Sequence, residues 1–130
     1  MSLRGTDEPD FMVTILTVFC KDTEERIKKI ETQHMKPRLH IRTIAALIET
    51  IKGSSLSVGS EKVTQACNEF QKAKEQWKLA KCEKALLQLR CEFNHVKSVF
   101  VEIIKLERKI VFLTRPQLRD VTESTGSSSP

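Results

Sequence analysis

The sequence predicts an all-α protein, an antiparallel four-helix bundle, on three observations. Apolar residues recur at three- and four-residue spacing along most of the 130 residues. With 4 glycines, 4 prolines and 5% aromatic residues, the chain has too few turn signals for a β-sandwich or barrel. A hydrophobic share of 39% beside a charged share of 30% suits one domain of amphipathic helices around a single core.

The first helix is expected from about Phe11 to Gln33, with Asp10 as its cap and Pro9 just before it. Its opening stretch, Phe11 to Cys20, is apolar nearly all round, and its second half narrows to a stripe at Ile27, Ile30 and His34. A helix that is apolar on every side needs cover on every side. Three neighbouring helices would bury only part of Phe11 to Cys20, so this stretch is expected to present a patch that self-associates or binds a partner.

Pro37 favours the start of a second helix, whose apolar positions are Leu39, Ile41, Ile44, Ala45, Ile48 and Ile51. The segment Gly53-Ser54-Ser55-Leu56-Ser57-Val58-Gly59 is expected to end or bend it, its serines capping or turning the chain. Ser60 can cap the third helix, with an inner stripe of Val63, Ala66, Cys67, Phe70, Ala73 and Trp77. After a break between Trp77 and Lys81, the longest helix follows the spacing Cys82, Leu86, Leu89, Phe93, Val96, Phe100, Ile103 and Ile110, which suits bundle packing. Pro116 stops it. The domain reading is therefore a flexible lead at 1–9, a helical bundle at 10–114 and a disordered tail at 115–130 that ends in Gly126-Ser127-Ser128-Ser129-Pro130.

Several function classes are excluded by composition. No apolar run has the eighteen or so residues a membrane span needs, and the first residues lack the apolar core of a signal peptide. Cys20, Cys67, Cys82 and Cys91 show no Cys-x-x-Cys spacing and have only three histidines to join them, so neither a metal site, a cofactor nor a disulfide framework is expected. Reduced thiols fit a cytoplasmic and nuclear setting. The net charge of +5 and pI of about 9.1 would permit acidic partners, but basic and acidic residues alternate along every helix, and no stacking aromatics mark a nucleic-acid surface.

The segment Glu49-Thr50-Ile51-Lys52-Gly53-Ser54-Ser55-Leu56-Ser57-Val58-Gly59 carries the functional signal. On a helix, Ala45 and Ala46 lie one turn before Glu49, and Lys52 and Gly53 one turn after it. Small residues at those places leave position 49 standing clear; taken alone, they would equally serve close helix packing. The segment resembles the phosphorylation site of plant histidine-containing phosphotransfer proteins, which reads His-Gln-Leu-Lys-Gly-Ser-Ser-Ser-Ser-Val-Gly. The Pro9-Asp10-Phe11 entry, the Val63 to Phe70 helix and Leu106-Glu107-Arg108-Lys109-Ile110 resemble the same family, so the likeness runs from about Asp10 to Ile110.

The resemblance implies a four-helix bundle of the histidine phosphotransfer type, and it turns the small residues into a docking surface for receiver domains. Two departures from the family stand out. Glu49 occupies the place of the phosphate-accepting histidine, and the family's additional N-terminal helix before the Pro-Asp-Phe segment is missing. The expected receiver contacts are Ala46, Glu49, Thr50, Lys52, Gly53 and Ser57, with no catalytic residue. Lys52 is free to pair with Glu49 at i, i+3, a pair worth about 0.2–0.5 kcal/mol on an exposed helix.

The implied activity is non-enzymatic: a pseudo-phosphotransfer protein that occupies receivers of hybrid histidine kinases or response regulators and inhibits a multistep, cytokinin-type phosphorelay. A receiver's pocket is acidic and metal-binding, so docking of Glu49 is expected to depend on Mg2+. The rival readings are an active carrier using His34, His40 or His95, none of which is followed by Lys-Gly, and a scaffold binding through Phe11 to Cys20.

Overall fold

A computed structural model describes residues 9–34 and 41–114, all of them in four helices and the turns that join two pairs of them. The helices are α1 (Pro9–His34), α2 (Ile41–Ser57), α3 (Glu61–Glu75) and α4 (Leu79–Thr114). Each packs on its neighbours in the chain, and α4 closes on α1, giving the expected up-and-down bundle. Residues 1–8 of the proposed lead, the tail, the Pro37 turn, Leu39 and His40, together with the expectation of a missing N-terminal helix, fall outside this description, while Pro9, the last residue of that lead, is helical.

α1 begins two residues earlier than expected, with Pro9 in its first turn, where a missing N–H costs nothing, so Asp10 lies inside the helix rather than capping it. The inner stripes follow the sequence reading closely. Ile44, Ile48 and Ile51 from α2, Val63, Ala66, Cys67, Phe70 and Ala73 from α3, and Cys82, Leu89 and Phe93 from α4 are buried against Ile27 and Ile30 of α1. Burying each large apolar side chain is worth about 1.5–3 kcal/mol, and these residues form one contiguous core. On the α1–α4 seam, Phe19 meets Phe93 and Phe100 edge-on, with ring centres 6.1 and 5.8 Å apart.

Ion pairs fix the register of the same seam. Arg90 donates to both carboxylate oxygens of Glu31 at 2.8 and 2.9 Å, to Glu24 at 3.0 Å and to Asn94 at 3.2 Å, while Lys97 reaches Glu24 at 3.4 Å. Its hydrogen bonds to Glu31, then to Glu24, hold the Arg90 guanidinium above its ordinary pKa. Burial alone would raise the Glu24 carboxyl, but Arg90 and Lys97 together outweigh it and lower it.

Four expectations need correction. The Gly53 to Gly59 segment does end α2, but its serines do not cap or turn the chain, since Gly53 to Ser57 remain helical. The helix stops instead at a Schellman turn: Ser60 N–H donates to Ser55 O at 2.8 Å, Gly59 N–H to Leu56 O at 3.2 Å, and Gly59 takes the left-handed φ of 73° such a turn requires. Ser60 precedes α3, but its side chain makes no cap bond, and its buried hydroxyl is unpartnered; only its carbonyl serves α3, accepting from Thr64.

Trp77 is not on the inner stripe. α3 ends in a second Schellman turn, with Lys78 N–H on Ala73 O and Trp77 N–H on Lys74 O, both at 3.0 Å. Trp77 fills the left-handed position with φ 56°, which turns its side chain outward to 78% exposure. Ile110, placed on the inner stripe of α4, is also exposed.

Candidate functional site

The candidate surface is the outer face of α2. Ala46, Glu49, Thr50, Gly53 and Ser57 are exposed and Lys52 is half-buried, so all six expected contact residues lie on one helix that runs unbroken through them. Opposite them, Ile44, Ile48, Ile51 and Ser55 are buried. The two faces follow from helical spacing alone, since a residue three or four positions along returns to the same side.

Ser55 anchors this end of the helix to α3. Its Oγ lies 2.6 Å from Thr64 Oγ1 and 2.9 Å from Lys52 O, while Thr64 Oγ1 lies 2.9 Å from Ser60 O. Two hydroxyl hydrogens serve these three contacts, so any arrangement satisfies two of them. On the outer face, Thr50 donates to Ala46 O and Ser57 to Gly53 O, each at 3.2 Å. These bonds to the preceding turn keep both hydroxyls within the helix and explain why a serine-rich segment remains helical.

Glu49 and Lys52 do not pair directly. Gln71 of α3 stands between them: its Nε2 donates to Glu49 Oε2, and its Oε1 accepts from Lys52 Nζ at 3.2 Å. Gln71 is the site residue that the sequence reading missed. Below the pair, Cys67 is fully buried. Burial pushes its thiol up to about 12, with Lys52 pulling it down and Glu49 pushing it further up.

Gly53 is the most informative position on this face. A Cβ added there would meet nothing within 4 Å, and its φ is not in the left-handed region. Glycine inside a helix costs about 0.5–1 kcal/mol relative to alanine. Neither neighbouring side chains nor backbone conformation in this chain accounts for that cost. The absent side chain leaves bare helix backbone between Glu49 and Ser57.

The Hpt domain pattern matches residues 14–99 of this chain, about two thirds of its length and all of the site just described. The chain is a member of the histidine phosphotransfer family. Hpt proteins are phosphotransfer carriers of plant two-component signalling, and they interact with the receiver domains of kinases and response regulators. Histidine-containing phosphotransfer protein 1 of Oryza sativa subsp. japonica is 32% identical over 83% of this chain and 74% of its own length. The crystal structure of a histidine-containing phosphotransfer protein from maize superposes with a TM-score of 0.74 at 29% identity, covering 78% of this chain and 74% of that one. A pseudo histidine-containing phosphotransfer protein of Arabidopsis thaliana is 21% identical over 82% of this chain and 70% of its own length.

None of the described histidines belongs to α2. His95 is exposed on α4, beside the groove that separates the start of α3 from the middle of α4; His34 is the last residue of α1; and His40 falls outside the described residues. Among the described residues, no cluster of three metal-ligating side chains occurs and no helix is long and apolar enough to cross a membrane.

Proposed function

We propose that this Hpt protein docks receiver domains through the outer face of α2 and carries no phosphate, so that it competitively inhibits a multistep phosphorelay of the cytokinin type. The observation that carries this reading is Glu49, an exposed carboxylate at the centre of that face, in the place where the family resemblance puts the phosphate-accepting imidazole. Relay chemistry needs a ring nitrogen that attacks an aspartyl phosphate and later releases the phosphoryl group. A carboxylate forms an acyl phosphate only when activated. The groups at Glu49 are an amide donor from Gln71 and, through it, the Lys52 ammonium, neither of which is a base.

The docking half of the function is supported by Lys52, which keeps a positive charge beside the contact point, and by Gly53, whose bare backbone invites close approach. The partners are receivers of hybrid histidine kinases and response regulators, in the cytoplasm and nucleus. Two like charges about 4 Å apart repel by roughly 4 kcal/mol at an effective dielectric of 20, so Mg2+ in the receiver pocket is needed to admit Glu49.

The test incubates the protein and its Glu49→His variant with a radiolabelled phospho-receiver, with and without Mg2+, and scores complex formation and label transfer together. Both proteins are expected to bind, with label appearing only on the variant. Acid-labile label on the unaltered chain would refute the inhibitor reading and point to one of its three histidines. Failure of both to bind would leave only a shared fold.

A further inference from the structure

The turn between α3 and α4 holds its largest apolar side chain out to water. Trp77, the sole tryptophan of the chain, is the most exposed large apolar residue among those described, and Leu79, two positions on, is exposed as well. At φ 56° Trp77 also occupies the left-handed conformation that glycine takes without cost. Neither solvation nor backbone geometry accounts for tryptophan there. Strain kept at an exposed position points to a use outside the fold.

Lysines surround the turn. From Lys72 to Lys84 five lysines meet two glutamates, Glu75 and Glu83, and among the described residues none of the five is held in an ion pair. Three of them, Lys72, Lys81 and Lys84, line a groove of about 320 Å3 between α3 and α4, where Gln76 adds an amide. One acid, Glu69, shares the lining, so three ammonium groups stand against one carboxylate. The charge of the groove favours anions.

We infer that this turn is a peripheral membrane contact: Trp77 and Leu79 enter the headgroup layer of an anionic bilayer, and Lys72, Lys81 and Lys84 receive lipid phosphate in the groove. A tryptophan ring, apolar in body with one polar N–H, is best placed at the boundary of water and hydrocarbon. Two apolar side chains anchor weakly alone, and so does a basic patch, but attachment is stable where both signals coincide. Each lysine near an anionic leaflet strengthens it roughly fivefold. A protein partner fits the turn less well. A standard-size interface takes about 800 Å2 from each side around an apolar centre, which two large apolar side chains do not fill, whereas a fluid headgroup layer closes around them. The turn serves this role whether or not α2 docks receivers.

Trp77 is its own reporter, because the chain has no second tryptophan and no tyrosine. Its emission is followed on titration with vesicles of phosphatidylcholine alone and of phosphatidylcholine with about one third phosphatidylserine. A shift to shorter wavelength is expected with the anionic vesicles only, reversed at about 1 M salt, where the Debye length is about 3 Å. Flotation with the same vesicles tests two variants. Trp77→Gly is expected to bind roughly tenfold more weakly, and Lys72→Gln/Lys81→Gln/Lys84→Gln to lose on the order of 100-fold. Because glycine relieves the left-handed strain, weaker attachment of Trp77→Gly cannot come from unfolding. An unchanged emission with anionic vesicles overturns the inference, as does an equal shift with neutral ones or undiminished flotation of either folded variant. Polyglutamate that binds as tightly as the anionic vesicles would reassign the turn to acidic proteins and overturn it equally.

Discussion

Gly53→Ala adds a single methyl group to the outer face of α2, and the structure predicts opposite signs for its two effects. The new Cβ meets nothing within 4 Å, and the backbone needs no left-handed φ, so folding gains the helix propensity of alanine without strain. That gain is about 0.5–1 kcal/mol, the lower end applying because Gly53 is close to the C-terminus of α2. For about 100 structured residues it corresponds to a rise of roughly 2–6 °C in Tm, read by circular dichroism at 222 nm. A receiver packed against bare backbone must instead retreat from the methyl, an overpacking cost of about 1–3 kcal/mol, or roughly 5- to 150-fold in Kd by calorimetric titration. Gly59→Ala is the control: φ there is 73°, so it destabilises. A Gly53→Ala protein that melts lower would show the glycine to be structural. One that melts higher yet binds a receiver with unchanged affinity would show that no partner approaches position 53.

Trp77→Gly is expected to stabilise the protein by about 1 kcal/mol in urea unfolding, since glycine takes the left-handed turn position without the penalty tryptophan bears at φ 56°. Glu24 is depressed in the fold, so its contribution is complete above the ordinary carboxylate range and is lost as pH falls through the lowered folded value; Glu24→Gln should lower stability at neutral pH and flatten the acid limb of a Tm-against-pH curve. Of the four thiols, only Cys91 is exposed, while burial raises Cys20, Cys67 and Cys82. A thiol reagent followed by mass spectrometry should label Cys91 alone until the chain unfolds.

Most of the bundle was legible because burial follows helical period: Ile44, Ile48 and Ile51, the run from Val63 to Ala73, and Cys82, Leu89 and Phe93 are inward as their spacing requires. Breaker residues misled where tertiary contacts override local preference. Ser55 is drawn inward to Thr64, and Ser57 bonds back to Gly53, so the helix passes through a segment rich in turn formers. Trp77 has the right spacing for the core but falls two residues past the end of α3, where the chain reverses hand and the side chain turns out. Period cannot reveal which residue ends a helix when tryptophan takes a glycine's place. That Ala46, Glu49, Thr50, Lys52, Gly53 and Ser57 share the outer face of α2 was legible from helical period, and their proposed role as contacts comes from the segment's resemblance. Gln71 was not, because it lies 22 residues from Glu49 and meets it only once α2 and α3 are side by side.

The unbroken course of α2 has a kinetic consequence. A docking face on a loop must order itself for each partner, losing conformational entropy at every encounter. Here the backbone from Ala46 to Ser57 is already a fixed screw, so a receiver that docks as proposed meets its contacts at constant spacing on arrival. What must move is small: the Glu49 and Lys52 side chains leave the Gln71 amide. Exposed rotamers exchange in picoseconds to nanoseconds, far faster than two proteins separate, so the face is ready at each collision and its occupancy follows concentration and complex lifetime.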